Sequence, residues 1–447
     1  MVTARKIVTL LLALVLCLSL AGCGEKTEKP QQPTSPTGTV AGLPTGTPGT
    51  TGTVPSTTTG LTAEDIDLPA DGWCMPDIGL MYTVAFGEGG YYNVYQNVLT
   101  FTDLSNGNNI VLCSKPGCLH YDEPTPRKQA ECDAYTGVIY CMHYWDGKVY
   151  YVTGETSAQD SSLWLVRRNA DGTGLEEIGR LASEYITKDT TVNATQYVFA
   201  GDMLYYRADV SNLIQAENGI VEEQATWLLM RMNLNSGKEE LLEEYKLNEA
   251  PHLQGAREDM LLYYTNPVLT EEEENNDPDL LWEKPVKVKV WSETVGQSVT
   301  LFTYKRLVFG RADYIANGKF YYLLYDEDPT ILGSRCQTYD LVTKQHKDTG
   351  FQTPPVLNDR YAVCYEEDMR DQYLYDVVNG SRLLTEYVNA RFKVLTAGPE
   401  GAILDIKQYS ENTEGEWVVD YWEQRYIPYA ALEDGLQKTD GIPIKFW

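Results

Sequence analysis

The stretch CSKPGCLHYDEPTPRKQAEC, residues 113–132, gathers three cysteines and a histidine in a chain that has nine cysteines and four histidines. The spacing is Cys113-x4-Cys118-x-His120-x11-Cys132. Three thiolates and one imidazole are the donor set of a closed tetrahedral zinc site, with Zn–S near ~2.3 Å and Zn–N near ~2.0–2.1 Å. Pro116-Gly117 supplies a tight loop able to turn Cys118 back towards Cys113. Four protein ligands leave no open position for water, so Zn2+ held by Cys113, Cys118, His120 and Cys132 is expected to be structural. Disulfides are the competing reading if the chain is exported, and inert thiols are the third. Seven cysteines follow Cys23, so pairing alone leaves one over and gives His120 no role. Cys141-x-His143 adds two donors that share one face if they lie in a strand.

Other chemistry is sparse. The sequence contains no His-Glu-x-x-His, no Gly-x-Ser-x-Gly and no glycine-rich phosphate loop ahead of a helix. His252 reads as a loop packing residue and His346, in TKQHKDTG, as an exposed turn residue. Acidic runs at Asp326, Glu327 and Asp328, and at Glu366, Glu367, Asp368 and Asp371, have the groups for acid–base glycoside chemistry or calcium. Solvated turns explain them more simply. Trp417, Trp422 and Trp447 could stack on sugars, although core packing accounts for Trp417 and Trp422.

The elements that must position these groups repeat. Tyr-Tyr doublets at 91–92, 150–151, 205–206, 263–264 and 321–322 recur every 55–59 residues. Turn residues precede them, as in DGKVYYV, and a second strand phrase follows that ends in Asp or Asn with Gly a few residues on (VLTFTDLSNG, LWLVRRNADG, WLLMRMNLNSG, LYDVVNG). Each unit reads as turn, strand, loop, strand, turn, strand. LTEEEENNDP, residues 269–278, is a helix-like insertion in the fourth unit. With two further units towards the C-terminus the count is seven, between about residue 78 and 430. The fold class is therefore all-β, a β-propeller of seven blades, with six or eight compatible with the same spacing and a pair of β-sandwiches as the alternative.

Ahead of the repeats, Arg5 and Lys6 precede an apolar run over 7–20, too brief for a comfortable membrane span. Leu20-Ala21-Gly22-Cys23 resembles the lipobox of bacterial lipoproteins. That resemblance implies a signal peptide over 1–22, acylation of Cys23 by palmitate-type chains, and anchoring on the extracytoplasmic face of the cell membrane. Residues 23–60 follow as the lipidated cysteine and a disordered Thr/Pro/Gly-rich tether, reaching roughly 35 Å for about 40 residues. Residues 61–447 form the propeller domain. Residues 1–60 hold four basic side chains against two acidic ones, so the acidic excess of the −28 chain lies wholly beyond residue 60. Such a surface repels nucleic acid and anionic lipid.

The strand phrase DGKVYYV, its partner phrase, the lipobox-plus-tether layout and the CSKPGCLH stretch together resemble uncharacterised Gram-positive cell-surface lipoproteins with a TolB-like or YWTD-like β-propeller domain. The resemblance covers most of the folded chain and implies architecture rather than activity. Three functions follow as expectations. The leading one is a ligand- or protein-binding scaffold whose partner is a peptide, a glycan or an envelope protein. The second is an envelope glycosidase or lyase with carboxylates at the propeller mouth. The third is a metal- or redox-responsive surface component.

Overall fold

Adjacent residues on a strand point to opposite faces of its sheet, so a Tyr-Tyr doublet requires apolar surroundings on both sides. All five doublets are buried. Tyr92 and Tyr151 meet in one layer, Tyr150 and Tyr206 in the next, Tyr205 and Tyr263 in a third, and Tyr264 and Tyr322 in a fourth. Each doublet thus sends one ring into each of the two layers that flank its sheet. Sheets covered on both faces and stacked side by side close into a ring. The computed structural model is a seven-bladed β-propeller, with antiparallel blades over 84–111, 138–180, 190–246, 249–304, 314–348, 361–382 and 390–443. It describes residues 61–75, 84–120, 125–154, 162–187, 190–215, 221–246, 249–277, 280–305, 314–316, 318–324, 335–349, 357–358, 360–365, 372–398, 400–413 and 415–444. All described strands belong to one compact unit, Thr58–Trp447.

Six blades are four-stranded meanders, one strand richer than the sequence units suggest. In blades 1 to 5 the doublet strand is the second, and the first strand is the irregular segment before it. First strands of neighbouring blades adjoin: Val84–Gly87 with Val138–Trp145, Thr190–Ala200 with Glu249–Ala256, and the latter with Tyr314–Ala316. They therefore line the axis.

The Asp/Asn…Gly phrase ends the third strand. The carbonyls of Asp103, Asn233, Ser292, Asp340 and Asp376 each accept the N–H four residues on, at 2.8–2.9 Å. The donors lie at positive φ: Gly107 at +73°, Gly237 at +66°, Gly296 at +70°, Lys344 at +58° and Gly380 at +68°. Glycine suits that conformation because it has no Cβ to clash, and the Asp103 and Asp376 carboxylates brace their turns by accepting further N–H groups.

Blade 6 has three described strands, Tyr361–Tyr365, Gln372–Asp376 and Ser381–Arg382. Its Asp376 turn marks Gln372–Asp376 as the third-strand equivalent. Residues 350–356, where a first strand would fall, lie outside the described residues. The insertion in blade 4 is helical over Glu271–Asn276, with Thr270 and Glu273 capping each other.

Apolar packing joins the last blade to the first. Ile403, Tyr426 and Ile444 of blade 7 meet Tyr91 and Phe86 of blade 1, and every strand of blade 7 comes from the C-terminal part of the chain. The entering segment docks elsewhere. Ile66 and Leu68 are buried in the layer between blades 4 and 5, Lys344 Nζ donates to the Ile66 carbonyl at 2.7 Å, and Cys74 pairs with Ala256.

Candidate metal centre and an exposed aromatic hairpin

The outer strand of blade 1, Asn109–Val111, releases the chain into the cysteine–histidine loop. Cys118 N–H returns to the Lys115 carbonyl at 3.3 Å, and Gly117 sits at φ +74°, so Pro116-Gly117 makes the expected turn. His120 also adopts a left-handed backbone, φ +56°, a conformation uncommon outside glycine. It directs the imidazole inward, with Nδ1 at 3.6 Å from Cys132 Sγ. A short helix, Pro126–Gln129, then delivers Cys132, whose N–H donates to the Gln129 carbonyl at 2.9 Å.

The result is convergence. The ligand atoms of Cys113, Cys118, His120 and Cys132 all lie within 4.8 Å of one another. A tetrahedral zinc with Zn–S near 2.3 Å places its ligand atoms about 3.8 Å apart, so a small inward movement closes the set on one ion. The donor chemistry fits: soft sulfurs with one imidazole select zinc over calcium or magnesium. The seven cysteines of the described residues are thiols, none in a disulfide.

Electrostatics agree with a cation at the centre. Burial opposes ionisation of Cys113, yet the N–H groups of Lys115 and Asp133 and the neighbouring thiols bring its pKa below the ordinary thiol value. Burial pushes Cys132 up to about 12, against the Ala134 N–H, and the Cys118 and Cys113 sulfurs add to the rise. Ionisation is thus eased at Cys113 and opposed at Cys132. A divalent cation among the sulfurs removes that resistance.

A clamp that the sequence did not announce holds the loop's far end. Arg168, buried on the third strand of blade 2, donates to the Tyr135 carbonyl at 2.8 Å, the Gly172 carbonyl at 3.1 Å and the Tyr151 hydroxyl at 2.8 Å, and also to the Asp133 carbonyl. Lys115 Nζ reaches the Glu131 carbonyl at 2.9 Å, and Gln129 Nε2 the Gln96 carbonyl at 2.6 Å. In LWLVRRNADG residue type does not separate Arg168 from Arg167, which is partly buried and pairs with Glu176. Strand alternation was the one available signal.

The remaining candidates fall elsewhere. Cys141 and His143 lie in strand Val138–Trp145 as expected, but Cys141 is buried in the layer between blades 2 and 3. His143 stacks on Phe199 of blade 3, and burial lowers its pKa to about 4. Neither joins the cluster. His252 is in a strand rather than a loop, bonded to Gln196 at 2.9 Å. His346 opens the strand His346–Asp348, is exposed, and bonds the Tyr322 hydroxyl at 2.7 Å. A cleft of about 630 Å³ opens where blades 7 and 1 meet, lined by Phe86, Glu88, Leu104, Glu400 and Tyr426 among others. Cys23, Trp447 and the acidic runs 326–328 and 366–371 lie outside the described residues.

Trp417 and Trp422 correct the sequence reading. Instead of packing in the core they are 59% and 60% exposed. They belong to the hairpin of blade 7 formed by Gly401–Glu411 and Trp417–Pro428, whose residues 417–422 are all exposed. A strand long enough to run past the body of its blade has no neighbouring sheet to cover it.

No known protein family matches the chain, and no curated protein matches it by sequence. Among solved structures, TolB from Acinetobacter baumannii is 11% identical, with 81% of this chain and 80% of that one covered and a TM-score of 0.29. The β-propeller domain of the Trilobed protease from Pyrococcus furiosus is 9% identical, over 81% and 97%, at 0.38. A puromycin-hydrolyzing peptidase of Mycobacterium tuberculosis is 13% identical at 0.42, and this chain covers 79% of itself but 56% of that protein. Likeness this low carries neither activity nor ligand to this chain. The propeller assignment rests on its own seven sheets.

Proposed function

We propose that the chain is a lipid-anchored, extracytoplasmic binding module. In this reading Cys23 carries the acyl anchor, residues 23–60 form the tether, and the propeller is a rigid platform that holds a glycan, peptide or envelope protein. Zinc at Cys113, Cys118, His120 and Cys132 would staple the junction of blades 1 and 2 and take no part in ligand chemistry, because the four ligands close its coordination sphere.

The observation that carries the binding role is the hairpin of blade 7. Trp417, Val418, Val419, Tyr421 and Trp422 are 39–60% exposed in succession, and contiguous exposed apolar surface on a folded domain marks an interaction site. Trp and Tyr are also the residues that dominate binding energy where partners meet. The test is a glycan and peptide array probed with the purified chain and with a Trp417→Ala, Trp422→Ala double variant. Saturable binding that the double variant loses supports the module. An array that stays blank, or that both proteins label equally, defeats it. Membrane retention that Cys23→Ser fails to abolish would separately overturn the anchor.

A further inference from the structure

The register of blade 7 contains a device that sorts the exposed aromatics. Along the hairpin Lys407 pairs with Trp422, Gln408 with Tyr421, Tyr409 with Val419, Ser410 with Val418 and Glu411 with Trp417. Asp420 has no partner, so the strand Trp417–Pro428 carries a β-bulge there. Without the bulge, alternation would place Trp417 and Trp422 on opposite faces. With it, Trp417, Val419 and Trp422 share the face of Lys407, Tyr409 and Glu411. The extra residue turns two indoles to the same side.

That face continues inward across the blade. Arg391 pairs with Lys407, and Lys393 with Asp405, so Arg391, Lys407 and Trp422 form one row, spanning about 10 Å over three strands. The Arg391 guanidinium lies 5.0 Å from the Tyr409 ring centre, and Lys407 Nζ lies 5.9 Å from that of Trp422. Lys407 has Asp405 within 3.7 Å, and Asp405 also accepts the Trp422 indole N–H. Arg391 and Lys393 are exposed and have no ion-pair partner among the described residues. Two unpaired cations beside a tryptophan stripe are out of keeping with a chain of net charge −28.

From this geometry, and resting on the binding role proposed above, we infer that this face of blade 7 binds an acidic glycan. Its sugar rings lie on Trp417 and Trp422, and its carboxylates meet Arg391 and Lys393. Trp417 and Trp422 lie opposite Glu411 and Lys407 with Val419 between them, about 13 Å apart along the strand, so they suit two separated rings of one extended oligomer. The cations at the inner end and Glu411 at the tip give the site polarity, so the anionic groups of the glycan sit towards the ring axis. Repulsion from the acidic remainder of the molecule is screened beyond about 8 Å at physiological salt. Lys407 already faces Asp405, so Arg391 and Lys393 decide the sign preference of the face.

A peptide added as an extra strand fits less well. Beyond Trp417–Pro428 the outer strand Ile442–Pro443 pairs with Arg425 and Tyr426, so among the described residues no strand lies beside the edge over 417–423. The bulge and the Asp420 side chain interrupt that edge, and both features block strand addition. The open surface is the face rather than the edge.

The experiment is calorimetric titration of the full chain with a short alginate oligomer, a dextran oligomer of similar length and a poly-glutamate peptide. The expected result is binding of alginate that weakens about tenfold or more in Trp417→Ala, a loss of about 1.4 kcal/mol. The Trp417 side chain makes no hydrogen bond among the described residues, so its removal tests stacking and leaves the backbone pairing with Glu411 in place. An Arg391→Gln, Lys393→Gln variant is expected to weaken alginate about tenfold and to make the remaining affinity insensitive to salt. Equal affinity for dextran and alginate would overturn the charge assignment while leaving a glycan-binding module. Preference for poly-glutamate would overturn the glycan in favour of an acidic protein partner. Absence of alginate binding overturns the inference itself. The array separates that outcome from failure of the binding role, because a neutral glycan or a peptide would still label it through Trp417 and Trp422.

Discussion

The cysteine–histidine loop and the blade 7 hairpin leave the ring at the same end, since fourth-to-first connections and second-to-third turns of a meander fall together. They treat their chemistry in opposite ways. The loop turns every donor inward: Cys132 is buried, His120 is bent towards it, and Arg168 binds the backbone carbonyls on either side of Ala134. The hairpin turns its aromatics outward and uses a bulge to bring them to one face. Functional groups that consume one another's valence hold a structure together. Groups left facing water are available to a partner. The first site should therefore matter to stability and the second to binding, and substitutions can break that division.

The largest effect is expected at Cys132. Cys132→Ser removes a buried donor of the zinc site proposed above, and the variant is expected to bind no zinc and to lose about 4 kcal/mol of stability. Metal analysis of chain purified without chelator, together with a urea midpoint, checks both. Full stability without metal would show that the junction of blades 1 and 2 needs no staple. Arg168→Ala comes next. It removes the donors to the Asp133, Tyr135 and Gly172 carbonyls and should cost about 3 kcal/mol without changing the zinc bound per chain at the proposed site. A variant that lost the metal as well would place the clamp and the ligands in one cooperative unit.

Much of this contrast was legible before the structure. The cysteine–histidine spacing picked out four residues that the fold does bring together, because the turn at Pro116-Gly117 is local chemistry. Tyrosine doublets revealed the blades because burial on both faces leaves a two-residue signature. First strands escaped notice: VAFG and EAPHLQGA have neither doublet nor strict alternation, since they line the axis and answer to neighbours distant in sequence. The bulge at Asp420 was equally invisible. Trp417 and Trp422 were assigned to the core on residue type, and only the length of the hairpin, set by pairing, overrules that. Arg168 escaped for the same reason, its acceptors lying up to 35 residues away.

At the hairpin the signs reverse. Trp417→Ala should change the unfolding free energy by no more than about 0.5 kcal/mol, as surface substitutions usually do, while abolishing most ligand binding. Proof that the division holds requires both halves in one variant. A loss of stability comparable with that of Arg168→Ala would mean that the stripe is covered by something in the intact protein, and the hairpin would then belong with the loop.

The smallest effect tests the opposite end of the ring, where neither metal nor ligand is proposed. Asp376 closes the third-strand turn of blade 6, accepting from Arg360 at 3.0 Å, from the Val378 and Asn379 N–H groups at 3.0 and 2.9 Å, and from the Asn379 side chain at 2.8 Å. Burial opposes its charge, but these donors hold its pKa below the ordinary carboxylate value. A depressed folded pKa means that the unfolded chain takes up the proton first. The contribution is therefore complete above the unfolded value near ~3.9 and disappears as pH falls through the folded one. Asp376→Asn keeps an acceptor for the N–H groups but loses the charge, so it should cost about 1 kcal/mol at neutral pH. That difference from the parent should vanish under acid, with zinc content and alginate affinity at neutral pH unchanged. If the substitution altered either of those, the two ends of the propeller would be coupled, and the division between staple and binding face would hold only within a single end.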